Sequence, residues 1–125
     1  MKKVYRVEDK QGRGPYIDGF WMSEPHEAST GRPTPGADGL TATIDEWKVR
    51  YGGTNVLFGF ASLQDLCCWF DREELKRLFG NGYRITVYQT DTVKVSESGK
   101  QLIFIKKKRR RHVLSKILDR IQGIM

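Results

Sequence analysis

The sequence is poor in the residues that most often carry metal or acyl-transfer chemistry. It holds two histidines, His26 and His112, and two cysteines, Cys67 and Cys68, which are adjacent. Neighbouring cysteines form a disulfide only under strain, no second pair stands at metal-ligand spacing, and two histidines supply too few ligands for zinc, so no metal is expected. The same scarcity argues against a Ser-His-Asp triad. Long apolar runs are missing as well. The stretch Val56-Leu57-Phe58-Gly59-Phe60-Ala61 falls far short of the roughly 18 residues of a spanning helix. Met1-Lys2-Lys3 is followed by Val4-Tyr5-Arg6-Val7-Glu8-Asp9, with charges where a signal peptide has its apolar region. A cytoplasmic location without a membrane is the expectation. Proline is sparse, and three of the four lie in one stretch, 23–39, which has no hydrophobic period. A structureless run of that length in a small chain reads as a mobile or functional loop.

What is present fits one folded domain. The chain has 125 residues, of which 38% are hydrophobic and 30% charged, enough apolar content for a core and too much for wholesale disorder. The net charge of +7 is not spread evenly. Residues 1–105 carry 14 Lys/Arg against 14 Asp/Glu, whereas residues 106–125 carry 8 against a single Asp. The excess belongs to a segment, headed by six consecutive cations, Lys106, Lys107, Lys108, Arg109, Arg110 and Arg111. Such a run reads as a solvated tail, or as a contact for phosphates or an acidic protein. We therefore expect a domain at 1–105 followed by a basic segment at 106–125.

The spacing predicts an α+β fold with a small mixed or antiparallel sheet. Val4–Val7 reads as a first strand, with Gly12-Arg13-Gly14-Pro15-Tyr16 as the turn behind it. Ile44–Tyr51 reads as a short helix or irregular cover with Trp47 turned inward. Val56–Ala61 reads as a buried strand. Ser62-Leu63-Gln64-Asp65 then has the form of a capping box opening a central helix over about 62–79. Leu63, Leu66, Cys67 and Phe70 recur at helical spacing, and Leu75, Leu78 and Phe79 continue the face beyond Asp71-Arg72-Glu73-Glu74. Tyr83–Thr90 alternates as a strand, Ser96-Glu97-Ser98-Gly99 is turn chemistry, and Lys100–Ile105 is another strand. Val113, Leu114, Ile117, Leu118 and Ile121 fall on one face of an amphipathic C-terminal helix.

Three pieces in this order resemble the skeleton of the ADP-ribosyltransferase fold: Val4-Tyr5-Arg6, Phe58-Gly59-Phe60-Ala61-Ser62 leading into a helix, and Gly99-Lys100-Gln101-Leu102-Ile103-Phe104. The resemblance covers about half the chain through short motifs. It implies a nicotinamide adenine dinucleotide (NAD) site in which Arg6 holds the dinucleotide, Ser62 orients it, and Gln101 stands where the family has its catalytic Glu. Arg suits a pyrophosphate because its planar fork donates paired hydrogen bonds. Tyr16 and Phe60 have the aromatic character to stack on a nicotinamide ring, although aromatics in a small domain also serve the core. Ser62 has an equally complete role as a helix N-cap. Gln101 departs from the family, because an amide lacks the charge that stabilises an oxocarbenium-like transition state; Glu97, near in sequence, is the carboxylate that would substitute for it across the turn as the catalytic acid group.

The chain also resembles the small accessory proteins of bacteriophages and prophages. That resemblance implies action on a host macromolecule, by NAD-dependent ADP-ribose transfer on the first reading. The alternatives are a non-enzymatic inhibitor, directed for example at host defence, and a nucleic-acid-binding domain. Both would use the basic segment to meet a host protein or nucleic acid. No aromatic residue lies among the cations to stack a base, which weakens a single-strand reading.

Overall fold

A computed structural model describes residues 2–15, 36–106 and 110–112. The first strand, β1, runs over Lys2–Glu8. After Gly36–Leu40, a wide helical turn, come α1 (Thr41–Tyr51) and a 3-10 turn at Gly53–Asn55. Strand β2 (Val56–Gly59) leads into α2 (Leu63–Trp69) and α3 (Arg72–Gly80). Strands β3 (Arg84–Thr90), β4 (Val93–Val95), β5 (Leu102–Ile105) and β6 (Arg110–His112) complete the order.

The strands form two antiparallel three-stranded sheets, β1-β3-β6 and β2-β5-β4. Strand alternation explains how they stack, because successive side chains point to opposite faces. Val7 and Ile85, opposite each other in the β1–β3 register, pack on Leu66, Trp69, Phe70, Leu75 and Leu78 of the α2–α3 region. Val4 and Tyr88, on the other face of that sheet, meet Leu102 and Phe104 of β5. The remaining β5 residues, Ile103 and Ile105, turn away to pack with Leu40, Val56 and, from α1, Ile44, Trp47 and Tyr51. The result is a β-sandwich with α1 over one outer face and α2 and α3 over the other. All four β5 residues are buried, as expected of a strand covered on both sides.

The two sheets are tied where β1 and the end of β2 exchange paired hydrogen bonds, Tyr5 N–H to the Phe60 carbonyl and Phe60 N–H to the Tyr5 carbonyl, both at 2.8 Å. Gly59 makes this close approach possible. A Cβ there would lie 2.6 Å from Val4 Cγ1 and 2.9 Å from the Tyr5 carbonyl oxygen.

Three sequence expectations need correction. The single helix over about 62–79 is two helices. Phe70 is extended, and Asp71 starts α3 with a reciprocal capping box, its carboxylate accepting from the Glu74 N–H while Glu74 accepts from the Asp71 N–H. The polar residues read as an interruption are therefore a second helix start. Ser62 caps α2 by accepting from the Asp65 N–H at 3.0 Å. Second, β4 is an additional strand, paired to β5 through the 96–101 turn. Third, the end of the cationic run is not a tail: Arg110 and Arg111, with His112, form strand β6, set against Tyr88, Val87 and Thr86 of β3. The expected helix at 113–125 and most of the 23–39 loop lie outside the described residues.

Candidate functional site

The period-two alternation of β1 puts Arg6 and Glu8 on the face that meets the second sheet. Arg6 is 5% exposed and Glu8 is fully buried. Arg6 Nε donates to Glu8 Oε1 at 3.0 Å, Nη1 to the Phe58 carbonyl at 2.8 Å and Nη2 to the Gly12 carbonyl at 3.1 Å. The Tyr88 hydroxyl donates to the same Glu8 Oε1 at 2.8 Å. Burial pulls the Arg6 pKa down from its ordinary value, opposed by the nearby Glu8 carboxylate. The guanidinium thus joins β1 to β2 and to the turn at 9–13. That turn is itself built on Asp9, whose carboxylate accepts from the N–H groups of Gln11 and Arg13 and from Arg13 Nε.

Gln101 belongs to a second network. Its amide Nε2 donates to Asp38 Oδ2 at 3.0 Å, which also receives the Ser98 hydroxyl at 2.7 Å, while Asp38 Oδ1 accepts the Ser98 N–H at 2.9 Å. Burial pushes the Asp38 carboxyl upward, but hydrogen bonds from Ser98, Gln101 and Ser96 outweigh it and hold the pKa below the ordinary aspartate value. The cluster fastens the segment before α1 to the β4–β5 turn. Glu97 is exposed, and its side chain occupies the space beside Gly39, where a Cβ would stand at a φ of 81°.

The residues singled out from the sequence are therefore distributed over several places. The Arg6 and Gln101 networks share no residue. Phe60 is buried, its ring centroid 5.6 Å from that of Trp69 and 6.0 Å from that of Phe70. Tyr16 lies outside the described residues, as do Lys107, Lys108 and Arg109. Lys106 is exposed, its backbone N–H bound to the Asn55 carbonyl, and Arg110 and Arg111 occupy β6. Cys67 is buried and Cys68 exposed, both as free thiols; burial pushes the Cys67 thiol up. Among the described residues no group of three or more His, Cys, Asp or Glu is placed to hold a metal, and no helix is long and apolar enough to cross a membrane.

Ser62 lines an open pocket of about 410 Å³ together with Lys2, Lys3, Val4, Tyr5, Ala61, Val93, Val95 and Leu102. Its floor is apolar, and among the described residues its only charged lining side chains are the two lysines. The sequence reading missed this site, because Lys2, Val93 and Val95 join it only when β1 and β4 are brought together. It also missed Glu8 as the partner of Arg6, although opposite charges two residues apart on a strand share a face, which is a usable signal.

A family model describing the Bacteriophage T4 Y00F protein matches residues 1–117. The chain belongs to the Bacteriophage T4 Y00F protein family. The resemblance to phage proteins read from the sequence agrees with this membership in a phage family, and the match is not to the ADP-ribosyltransferases. No curated protein matches this Y00F-family chain, and no solved structure matches it.

Proposed function

We propose that this Y00F-family chain is a phage accessory protein that binds a host protein non-catalytically, presenting its basic segment to an acidic surface. The observation that carries the reading is β6. Residues 106–125 hold the whole charge excess, and within them Arg110 and Arg111, the end of the six-cation run, lie in the strand beside β3, their backbone held in sheet register. Cations whose backbone is held in a sheet lose less conformational freedom on binding than cations on a free tail. A protein partner is favoured over nucleic acid because the body at 1–105 is neutral and carries exposed acids, among them Asp45, Glu46, Glu73 and Asp91, that a phosphate backbone would repel.

Two observations weigh against NAD-dependent transfer as the first reading: Arg6 is committed to Glu8 and two carbonyls, and the Gln101 amide to Asp38. What supports it is Ser62, which lines a pocket with two lysines.

The test is fluorescence anisotropy with a labelled poly-glutamate peptide and with labelled duplex DNA, from 50 to 300 mM salt. We expect poly-glutamate to bind, to weaken with salt, and to lose at least tenfold in affinity in the triple variant Lys106→Gln, Arg110→Gln, Arg111→Gln. Tighter binding of DNA at every salt concentration would move the reading to nucleic acid. Titration with NAD alongside, if it saturates at millimolar ligand or below, would restore the transferase reading.

A further inference from the structure

We propose that the pocket between the start of β1, the Ala61–Ser62 turn and β4 is a separate peptide-binding site, which takes an extended acidic segment of a partner protein along the open edge of β1. The proposal uses no residue of the basic C-terminal segment.

Backbone geometry favours an extended peptide. Tyr5 turns its N–H and C=O to Phe60, and by strand alternation Lys3 turns its own to the same edge. The chain that covers this edge at Phe60 leaves it at once, since Ser62 is already the N-cap of α2. Among the described residues, β1 has β3 on one side and only the Tyr5–Phe60 bridge on the other. The Lys2–Lys3 end of β1 therefore offers a short length of strand edge, the template on which peptides add as an extra strand.

The side chains around that edge define what the peptide must carry. Val4, Ala61, Val93, Val95 and Leu102 make an apolar floor, and Val95 keeps 49% of its surface exposed. The alternating side chains of an added strand would place an apolar group there. Around the floor stand donors and cations. Lys2 and Lys3 are both exposed, and the Ser62 oxygen accepts from Asp65 N–H, leaving its own proton to donate. Among the described residues no carboxylate lines the pocket. An acidic residue flanking an apolar anchor complements that arrangement, whereas a basic peptide would be repelled.

The test uses the full chain and a labelled octapeptide of alternating Glu and Val, read by fluorescence anisotropy at 100 mM salt, with circular dichroism to confirm that each variant is folded. Binding in the micromolar to submillimolar range is expected. The double variant Lys2→Glu, Lys3→Glu and the floor variant Val95→Asp should each weaken it at least tenfold. A peptide N-methylated at alternate residues should bind at least fivefold more weakly. The triple variant at Lys106, Arg110 and Arg111 should bind the octapeptide within twofold of the parent chain, which separates this site from the proposed function. Absence of binding at 1 mM peptide would overturn the proposal. So would equal affinity for a Lys-Val octapeptide, unchanged affinity in the β1 and β4 variants, or competition by NAD.

Discussion

Replacing Arg6 with Met separates a structural arginine from a ligand-binding one. In the structure the guanidinium makes three hydrogen bonds, to Glu8 and to the carbonyls of Phe58 and Gly12, with almost no contact with water. Methionine fills much of the same volume but supplies no donor. The substitution leaves Glu8 as a buried carboxylate without its countercharge, and the two carbonyls without that donor. Removing one member of a buried ion pair costs about 3–5 kcal/mol, because the surviving charge stays desolvated. With a urea slope of about 2 kcal/mol per M, typical of small proteins, the unfolding midpoint should fall by about 2 M. The assay is urea unfolding followed by tryptophan fluorescence, to which the buried Trp69 contributes. The double variant Arg6→Met, Glu8→Leu should recover a large part of the loss, since apolar replacement of both partners removes the stranded charge. An Arg6→Met chain that loses less than about 1 kcal/mol would refute the reasoning. It would also revive a ligand role for Arg6, because residues held for binding rather than folding are often cheap to replace.

Three further outcomes follow from the same contacts. Gln101→Glu, the change that would restore the carboxylate of the transferase pattern, sets a second acid 3.0 Å from Asp38 Oδ2; thermal unfolding should show destabilisation at pH 7 that diminishes as the pH falls toward 4 and one of the two acids takes a proton. In the parent chain the folded Asp38 pKa is depressed, so its contribution is present above the unfolded aspartate value of about 3.9 and lost as the pH falls through the lower folded value; stability measured by urea unfolding between pH 5 and pH 2.5 should decline over that interval, and less steeply in Asp38→Asn. Gly59→Ala forces a methyl group against Val4 and the Tyr5 carbonyl; a cost of about 1–3 kcal/mol in urea unfolding, partly relieved by Val4→Ala, is expected.

The parts of the fold legible in the sequence are those written in local chemistry. The β1, β2, β3 and β5 strands show as apolar or alternating runs, and α2 announces itself through Ser62 and Asp65. Asp71 shows where that legibility stops. The same residue types can interrupt an apolar helical face or start a new helix, and the spacing of Leu75 and Leu78 after Leu66 fits both. Only the extended Phe70 decides it. Strand β4 was hidden by its length of three residues, and β6 by its composition, since a six-cation run reads as solvated chain or as a contact, and only pairing with β3 gives Arg110 and Arg111 a place in a sheet.

The candidate site was less legible for a related reason: a side chain's role depends on what the fold sets opposite it. Arg6, Ser62 and Gln101 have side chains suited to a dinucleotide, and all three are also ordinary structural residues. The sandwich puts Glu8 and Tyr88 beside Arg6, and Asp38 beside Gln101, two buried networks whose members are up to 80 residues apart in sequence. Ser62 lines an open pocket, and there its neighbours are Lys2, Lys3 and the valines of β4. A basic rim over an apolar floor at a strand edge has the chemistry of peptide recognition. On the opposite edge of the first sheet, β6 carries Arg110 and Arg111, two of the cations in the segment that holds the net charge. The two proposed recognition surfaces are thus set apart by the sheet itself, with β1 and β6 on either side of β3, so a partner that engaged both would have to span its width. A rigid link of that kind makes the two bindings additive or cooperative according to the partner's own geometry. Octapeptide affinity measured with poly-glutamate already bound distinguishes them, and mutual exclusion would show that the two surfaces are one.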